Sequence, residues 1–348
     1  MKLLKPVNLL VFTALLAGKN TFSQCFDDTY AKITKKEVIS CNDQEWVLEY
    51  EDNFDGKELK SREWILPYQG VLAGFNFEKD GSKVWYANTN THPKIPLSNN
   101  IVTENGILKL IARKEATPIQ GSYVVDWSKN PPGRDSSSFL YSSAWIESQR
   151  MFGYGKYEAR IKIPKGKGLW PAFWLFNGEN GKHNYEIDIF EFWNEYTCAG
   201  RYKKSRLSKN PHFTIHGDSI NRSSSQCADD MYPCYGNWGN SKTDFSADYH
   251  IYAVEWDYYK ILWMIDGELV HALYRYNSKN GVPTDCNTIV EGQQYKVNES
   301  WPFTEQMQVR FNLGIQHGNN NDPNASDNFP QAMEVDYFRY YRKGPGKK

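Results

Sequence analysis

An all-β fold, a sandwich of antiparallel sheets, is predicted by three observations. Short segments alternate apolar and polar residues and are separated by clusters of Gly, Pro, Asn and Asp. A long amphipathic helical pattern is missing from the 348 residues. Asp266-Gly267 stands between two alternating runs, a two-residue hairpin signal because both residue types tolerate positive φ.

The segments follow in order. Lys2 and Lys5 open a positive start, and residues 7–17 form an apolar run too short to span a bilayer, so 1–24 is expected to be a cleaved secretory signal. Residues 25–45 are polar and patternless and are read as an N-terminal extension. The globular domain is expected over 46–342, with 343–348 as a C-terminal tail. Its clearest strands lie at 106–112, 157–163, 250–256, 261–265 and 333–341. Irregular stretches are expected at 68–98, 116–138, 199–210, 218–247 and 277–302. Connections of that length are commonly functional, and several are read as walls of an open cleft.

Composition narrows the function. Lys plus Arg equals Asp plus Glu, at 41 each, so no whole-molecule field selects nucleic acid or an anionic membrane. No second apolar stretch is long enough to serve as a transmembrane anchor, and a monomer is expected. Twelve Trp and 23 Tyr exceed what a core of Leu, Ile and Val requires, which leaves rings for a stacking surface as well as for half-buried strands. The six cysteines, Cys25, Cys41, Cys198, Cys227, Cys234 and Cys286, all lie at or beyond the expected cut. Disulfides are therefore expected, Cys25–Cys41 and Cys227–Cys234 being the local pairings; the spacing of Cys and His does not match a zinc site.

The chemistry concentrates in Asn184-Tyr185-Glu186-Ile187-Asp188-Ile189-Phe190-Glu191-Phe192-Trp193. Three acids fall within six residues framed by large apolar side chains, the mark of a buried strand. Alternation puts Glu186 and Asp188 on one face, yet Glu191 falls on the other. One extra residue at Ile189 or Phe190, a β-bulge, restores the phase, returns Glu191 and Trp193 to the acidic face and sends Phe192 into the core. Carboxylates crowded on one face repel, so at least one stays protonated near neutral pH. Retaining glycoside hydrolysis needs such a pair, one as nucleophile and one as proton donor, about 5–5.5 Å apart. A solvated acidic edge and a calcium site are the competing readings; the first conflicts with the alternating Ile, Phe and Trp.

These residues resemble glycoside hydrolase family 16, whose bulged signature Glu-x-Asp-x-x-Glu is matched by Glu186, Asp188 and Glu191. The likeness extends to Glu51-Asp52-Asn53-Phe54-Asp55-Gly56, Tyr154-Gly155-Lys156-Tyr157-Glu158-Ala159-Arg160, Gly168-Leu169-Trp170-Pro171-Ala172-Phe173-Trp174-Leu175 and Glu334-Val335-Asp336-Tyr337. It implies a concanavalin A-like jelly roll of two curved antiparallel sheets with an open cleft. By the same resemblance Glu186 is the nucleophile, Glu191 the general acid and then base, and Asp188 the neighbour that tunes Glu186. No cofactor is needed for that chemistry; a structural calcium held by Asp336 is a further implication of the resemblance.

Alternation adds candidate substrate contacts. Trp170 and Trp174 share a face and suit stacking on sugar rings, with two core Trp as the alternative. His212, Thr214 and His216 share another, so His216 reaches toward the acid pair or is a structural histidine. Asn312 and Gln316 alternate with Leu313 and Ile315, and an amide on the cleft side binds hydroxyls. Trp193 joins the acidic face through the bulge. Ser143-Ala144-Trp145-Ile146 stands where many relatives have Gly then Arg, and Tyr185 where many β-1,3-glucanases have Gly. Arg201, Lys203, Lys204, Arg206 and Lys209 form a basic cluster suited to a sulfated or acidic polysaccharide, or an ordinary solvated loop. The expected partner is thus a β-linked polysaccharide, either a β-1,3-glucan or an algal-type β-galactan. A non-catalytic carbohydrate-binding protein and a transglycosylase are the alternatives on the same fold.

Overall fold

The computed structural model describes residues 26–35, 45–66, 84–86, 100–126, 133–179, 183–192, 196–197, 207–208, 211–216, 243–298, 301–302, 304–316, 323 and 328–344. Among these, the chain is built of strands and contains no α-helix. In chain order they are β1 (Phe26–Lys32), β2 (Glu45–Asp52), β3 (Trp64–Ile65), β4 (Trp85–Tyr86), β5 (Ile101–Glu104), β6 (Ile107–Asp126), β7 (Gly133–Ser143) and β8 (Trp145–Phe152). Then come β9 (Gly155–Lys162), β10 (Leu169–Glu179), β11 (His183–Phe192), β12 (Tyr196–Thr197), β13 (Leu207–Ser208), β14 (Pro211–His216), β15 (His250–Trp256) and β16 (Lys260–Ile265). The last are β17 (Glu268–Tyr274), β18 (Tyr276–Asn277), β19 (Pro283–Thr284), β20 (Gln294–Asn298), β21 (Met307–Ile315) and β22 (Gln331–Gly344).

Two sheets make the sandwich. The six-stranded sheet has the order β14-β11-β10-β21-β8-β3, antiparallel throughout. The larger has the order β17-β16-β15-β9-β22-β6-β7-β4, with β2 on β22 and β5 on β6; its β4–β7 contact is parallel. Period-two patterning drives the assembly, as β9 shows: Gly155, Tyr157, Ala159 and Ile161 are buried, while their neighbours reach partly into solvent. Phe173, Phe190 and Phe311 of the smaller sheet meet Tyr252 and Phe338 of the larger. Phe190 and Tyr252 have ring centroids 4.5 Å apart, and Phe173 and Phe338 6.2 Å. These tilted and edge-to-face contacts lock the sheets together.

Local chemistry fixes the turns. Asp266 and Gly267 have φ of 51° and 81°, as the hairpin between β16 and β17 requires. In the segment Glu51 to Gly56, the buried Asp52 carboxylate accepts from Lys60 Nζ at 2.8 Å, Trp64 Nε1 at 3.0 Å and the Phe54 amide at 3.0 Å. That clamp holds Phe54 at φ 50°, an uncommon conformation for a side chain of its size.

Three expectations are corrected. Residues 26–35 of the expected extension join the folded domain: β1 pairs antiparallel with β20, and Ile33, 1% exposed, packs with Tyr259, Tyr276, Ile289 and Tyr295. Stretch 116–138 falls largely within the β6–β7 hairpin, and 277–302 contributes β18, β19 and β20 to a four-stranded sheet with β1. Strand β22 ends at Gly344, two residues beyond the expected boundary. Of the cysteines, all but Cys286 lie outside the described residues, as do both local disulfide pairings, the basic cluster from Arg201 to Lys209 and Trp193. Among the described residues no helix is long and apolar enough to cross a membrane.

Candidate active site

Strand β11 carries the site, and its ladders locate the bulge. On one side Phe190 opposes Phe173 and Asp188 opposes Trp174, so Ile189 has no opposite number on β10. On the other, Asp188 opposes Thr214 and Glu191 opposes His212, again one residue more on β11 than on its neighbour. The extra residue is Ile189, one of the two positions expected from the spacing. Burial agrees: Ile187, Ile189, Phe190 and Phe192 are all within 1% of full burial in the core. Ile189 and Phe190 are consecutive yet face the same way, which a regular strand forbids. Glu186, Asp188 and Glu191 are thereby left on the opposite, outer face of the sheet, with Asp188 2% exposed and both glutamates half-buried.

The rest of this face follows from register. Glu191 stands opposite Ala172, Ala172 opposite Asn312 and Asn312 opposite Trp145. Parallel to it run Asp188, Trp174, Arg310 and Glu147, then Glu186, Phe176, Gln308 and Met151. On β14, His216 lies opposite Glu186 in the ladder. A cavity of about 690 Å³ lined by Gln149, Met151, Asn177, Thr304 and Gln308 continues the Glu186 row across the sheet.

The two Trp of β10 divide the work. Trp170 is half-buried and donates its indole N–H to Glu191 Oε1 at 2.8 Å, so it orients a carboxylate directly. Trp174 donates to Asn312 Oδ1 at 2.7 Å and is only 7% exposed, packed with Trp145, Ala172 and Phe176. Trp174 and Asn312, also 7% exposed, therefore lie in the floor of the face, bonded to each other. Gln316 is likewise buried, its backbone N–H bonded to the Gly168 carbonyl at 2.7 Å.

Sequence reading missed an ion pair in the same floor. Arg310 Nη2 lies 3.0 Å from Glu147 Oε2, with the side chains 7% and 8% exposed. The guanidinium also sits over Phe176 at 4.1 Å and Trp174 at 4.9 Å. Burial pushes the Glu147 carboxyl up, and Arg310 opposes that shift. An Arg in a β21 whose other residues carry no charge was the available signal; its partner lies on β8, far away in sequence. Arg310→Met leaves a buried carboxylate without its cation and is expected to lower stability by about 3–5 kcal/mol in urea unfolding. The double variant Arg310→Met/Glu147→Leu should recover most of that loss; equal loss in both would show that the pair is not the cause.

Asp336, to which the resemblance gives a calcium, has its Oδ2 2.6 Å from Arg160 Nη1, in an ion pair about one-third exposed. No cluster of three or more His, Cys, Asp or Glu suited to a metal occurs among the described residues.

Comparison with known proteins agrees with this architecture. The chain is 27% identical over 305 residues to a glucan endo-1,3-beta-glucosidase of Cryptopygus antarcticus, covering 84% of this chain and 91% of that one. It is 26% identical over 309 residues to glucan endo-1,3-beta-glucosidase A1 of Niallia circulans, covering 85% of this chain but spanning only 38% of that longer protein. In structure it resembles the laminarinase catalytic domain of Thermotoga maritima, with a TM-score of 0.57 at 23% identity over 86% of this chain and all of that domain. That likeness identifies the two packed sheets as a jelly roll. The pattern of the glycosyl hydrolases family 16 matches residues 89–312, well over half of the sequence, and it is to this family that the chain belongs.

Proposed function

We propose that the protein is a retaining, endo-acting glycoside hydrolase that cleaves a β-linked polysaccharide by double displacement. The observation that carries this reading is the bulge at Ile189, which sets Glu186, Asp188 and Glu191 on one face of one strand. In the first step a Glu186 oxygen attacks the anomeric carbon while the Glu191 carboxylic proton passes to the glycosidic oxygen, and the C–O bond to the leaving sugar breaks. In the second step Glu191, now ionised, takes a proton from water. The water oxygen attacks the same carbon, and the ester bond to Glu186 breaks with net retention. Asp188, between the two and nearly buried, is the neighbour that positions and tunes Glu186. Trp170 holds Glu191 by its indole N–H.

For substrate we propose a β-1,3-glucan, the activity named for both curated relatives, with an algal-type β-galactan as the competitor. Trp145 and Tyr185, which depart from the common glucanase pattern, favour the competitor. Export is supported by the apolar run after Lys5, by the even cysteine count and by Cys286, a disulfide-bonded residue. The test is a panel of laminarin, mixed-linkage glucan, agar, porphyran and carrageenan read by new reducing ends. Release of oligosaccharides from one of them is the expected result. Binding without release from any would support a non-catalytic protein, and elongated chains in place of new ends would support a transglycosylase.

A further inference from the structure

A bulge corrects the phase of a strand at the expense of its ladder, and the freed backbone groups need partners. In a regular strand the carbonyls lie in the plane of the sheet and point to the neighbouring strands. At Ile189 both ladders of β11 shift at once, so the strand is interrupted on its β10 side and its β14 side together. There the Asp188 carbonyl is met from another direction. Trp263, on β16 of the larger sheet and fully buried, donates its indole N–H to that oxygen at 2.7 Å. This bond reaches the carbonyl from the core side and not from a neighbouring strand. The peptide between Asp188 and Ile189 is trans, since the cis bond among the described residues is Phe329–Pro330. Across a trans peptide the N–H points opposite to the C=O. An oxygen turned toward the core would turn the Ile189 N–H outward, to the face that carries the three carboxylates.

We infer that Trp263 is a positioning residue for the reaction: its indole holds the Asp188–Ile189 peptide rotated, so that the Ile189 N–H serves as a fixed donor dipole toward the catalytic carboxylates. A fixed N–H toward an anion favours its ionised form and needs no reorganisation during reaction. The nucleophile must be ionised before it attacks, so the dipole holds Glu186 ready at lower pH. Trp263 itself is held from behind by His271, whose ring centroid lies 5.1 Å from its own. Burial pushes His271 down to about 4, so this neighbour carries no charge near neutral pH. The inference rests on the proposed roles of Glu186 and Glu191, and its test is arranged to separate the two.

Two replacements remove the indole N–H: Trp263→Phe, and 3-benzothienylalanine at position 263, in which sulfur replaces the N–H at nearly unchanged shape. Both are assayed on the polysaccharide that the wild type cleaves, beside Glu186→Gln. The expected result for each folded replacement is a kcat lower by about 10- to 100-fold with KM within about twofold. The acid limb of kcat/KM against pH should also move up by about one unit. Wild-type kcat and an unmoved acid limb in the benzothienyl protein would overturn the inference, whatever happens to its melting temperature. Should Trp263→Phe fail to fold, the isosteric replacement decides alone. If Glu186→Gln is inactive while the benzothienyl protein behaves as wild type, only the inference falls; if Glu186→Gln keeps turnover, the catalytic reading falls with it.

Discussion

Glu186→Gln is expected to lower kcat on the cleaved polysaccharide by about 10⁴-fold or more. The amide has nearly the same shape, so packing against the neighbouring Phe176 row and the ladder to β14 are unaffected. It carries no negative charge and does not form the ester to the anomeric carbon, so the first displacement has no nucleophile. Because the side chain is only half-buried and lies outside the core, the melting temperature should stay within a few degrees, roughly the span of a 1 kcal/mol change in a domain this size. Affinity for the uncut polysaccharide should persist. Retained turnover in a folded Glu186→Gln protein would remove Glu186 from the mechanism.

Glu191→Ala has the second largest expected effect and a different signature. Loss of a general acid lowers the rate about 10²- to 10⁴-fold on the polysaccharide, whose leaving group needs a proton. An aryl glycoside with a good leaving group needs little protonation, so its first step should be nearly intact and the covalent intermediate should accumulate. Water then lacks its base. Azide requires none: it attacks the anomeric carbon, displaces Glu186 and should restore turnover with a β-glycosyl azide as product. The alanine also leaves the Trp170 indole without its acceptor at 2.8 Å, so Trp170→Phe in a wild-type background should show a milder defect on the same substrates. An α-glycosyl azide, or no rescue together with full activity on the polysaccharide, would exchange or remove the role of Glu191.

The parts of this molecule that were legible in its sequence are those with local causes. The five-residue separation of Glu186 and Glu191 conflicts with strand alternation, and only an inserted residue resolves the conflict, so the bulge could be placed to within one position before any coordinates. Asp266-Gly267 was legible for the same reason, because its positive φ angles are a property of the two residues themselves. Elements whose burial comes from distant partners were not. Strand β1, Phe-Asp-Asp-Thr-Tyr-Ala-Lys, has almost no apolar alternation and exists because β20 supplies its ladder. In 116–138, Pro118 is tolerated within β6 because the β6–β7 register shifts between Lys114 and Ile119, where no regular ladder bond is needed.

Within the site the same division holds. Trp170 and Trp174 are equivalent by alternation, and nothing local says that one indole meets Glu191 while the other meets Asn312. That difference is set by β21, which brings Asn312 against β10 from the other side of the sequence. Arg310 and Glu147 are likewise ordinary charges until β21 and β8 pair and bury them together. Trp263 lies in a strand legible at 261–265 and is fully buried, but its bond to the Asp188 carbonyl depends on how the two sheets stack.

The most direct test is to trap the glycosyl-enzyme. A 2-deoxy-2-fluoro β-glycosyl fluoride of the sugar identified by the polysaccharide panel forms the ester readily and releases it slowly, so the adduct can be located by digestion and mass spectrometry. The bulged-strand arrangement predicts the added mass on Glu186 alone. An adduct on any other carboxylate, or no adduct together with products of inverted anomeric configuration, would contradict it.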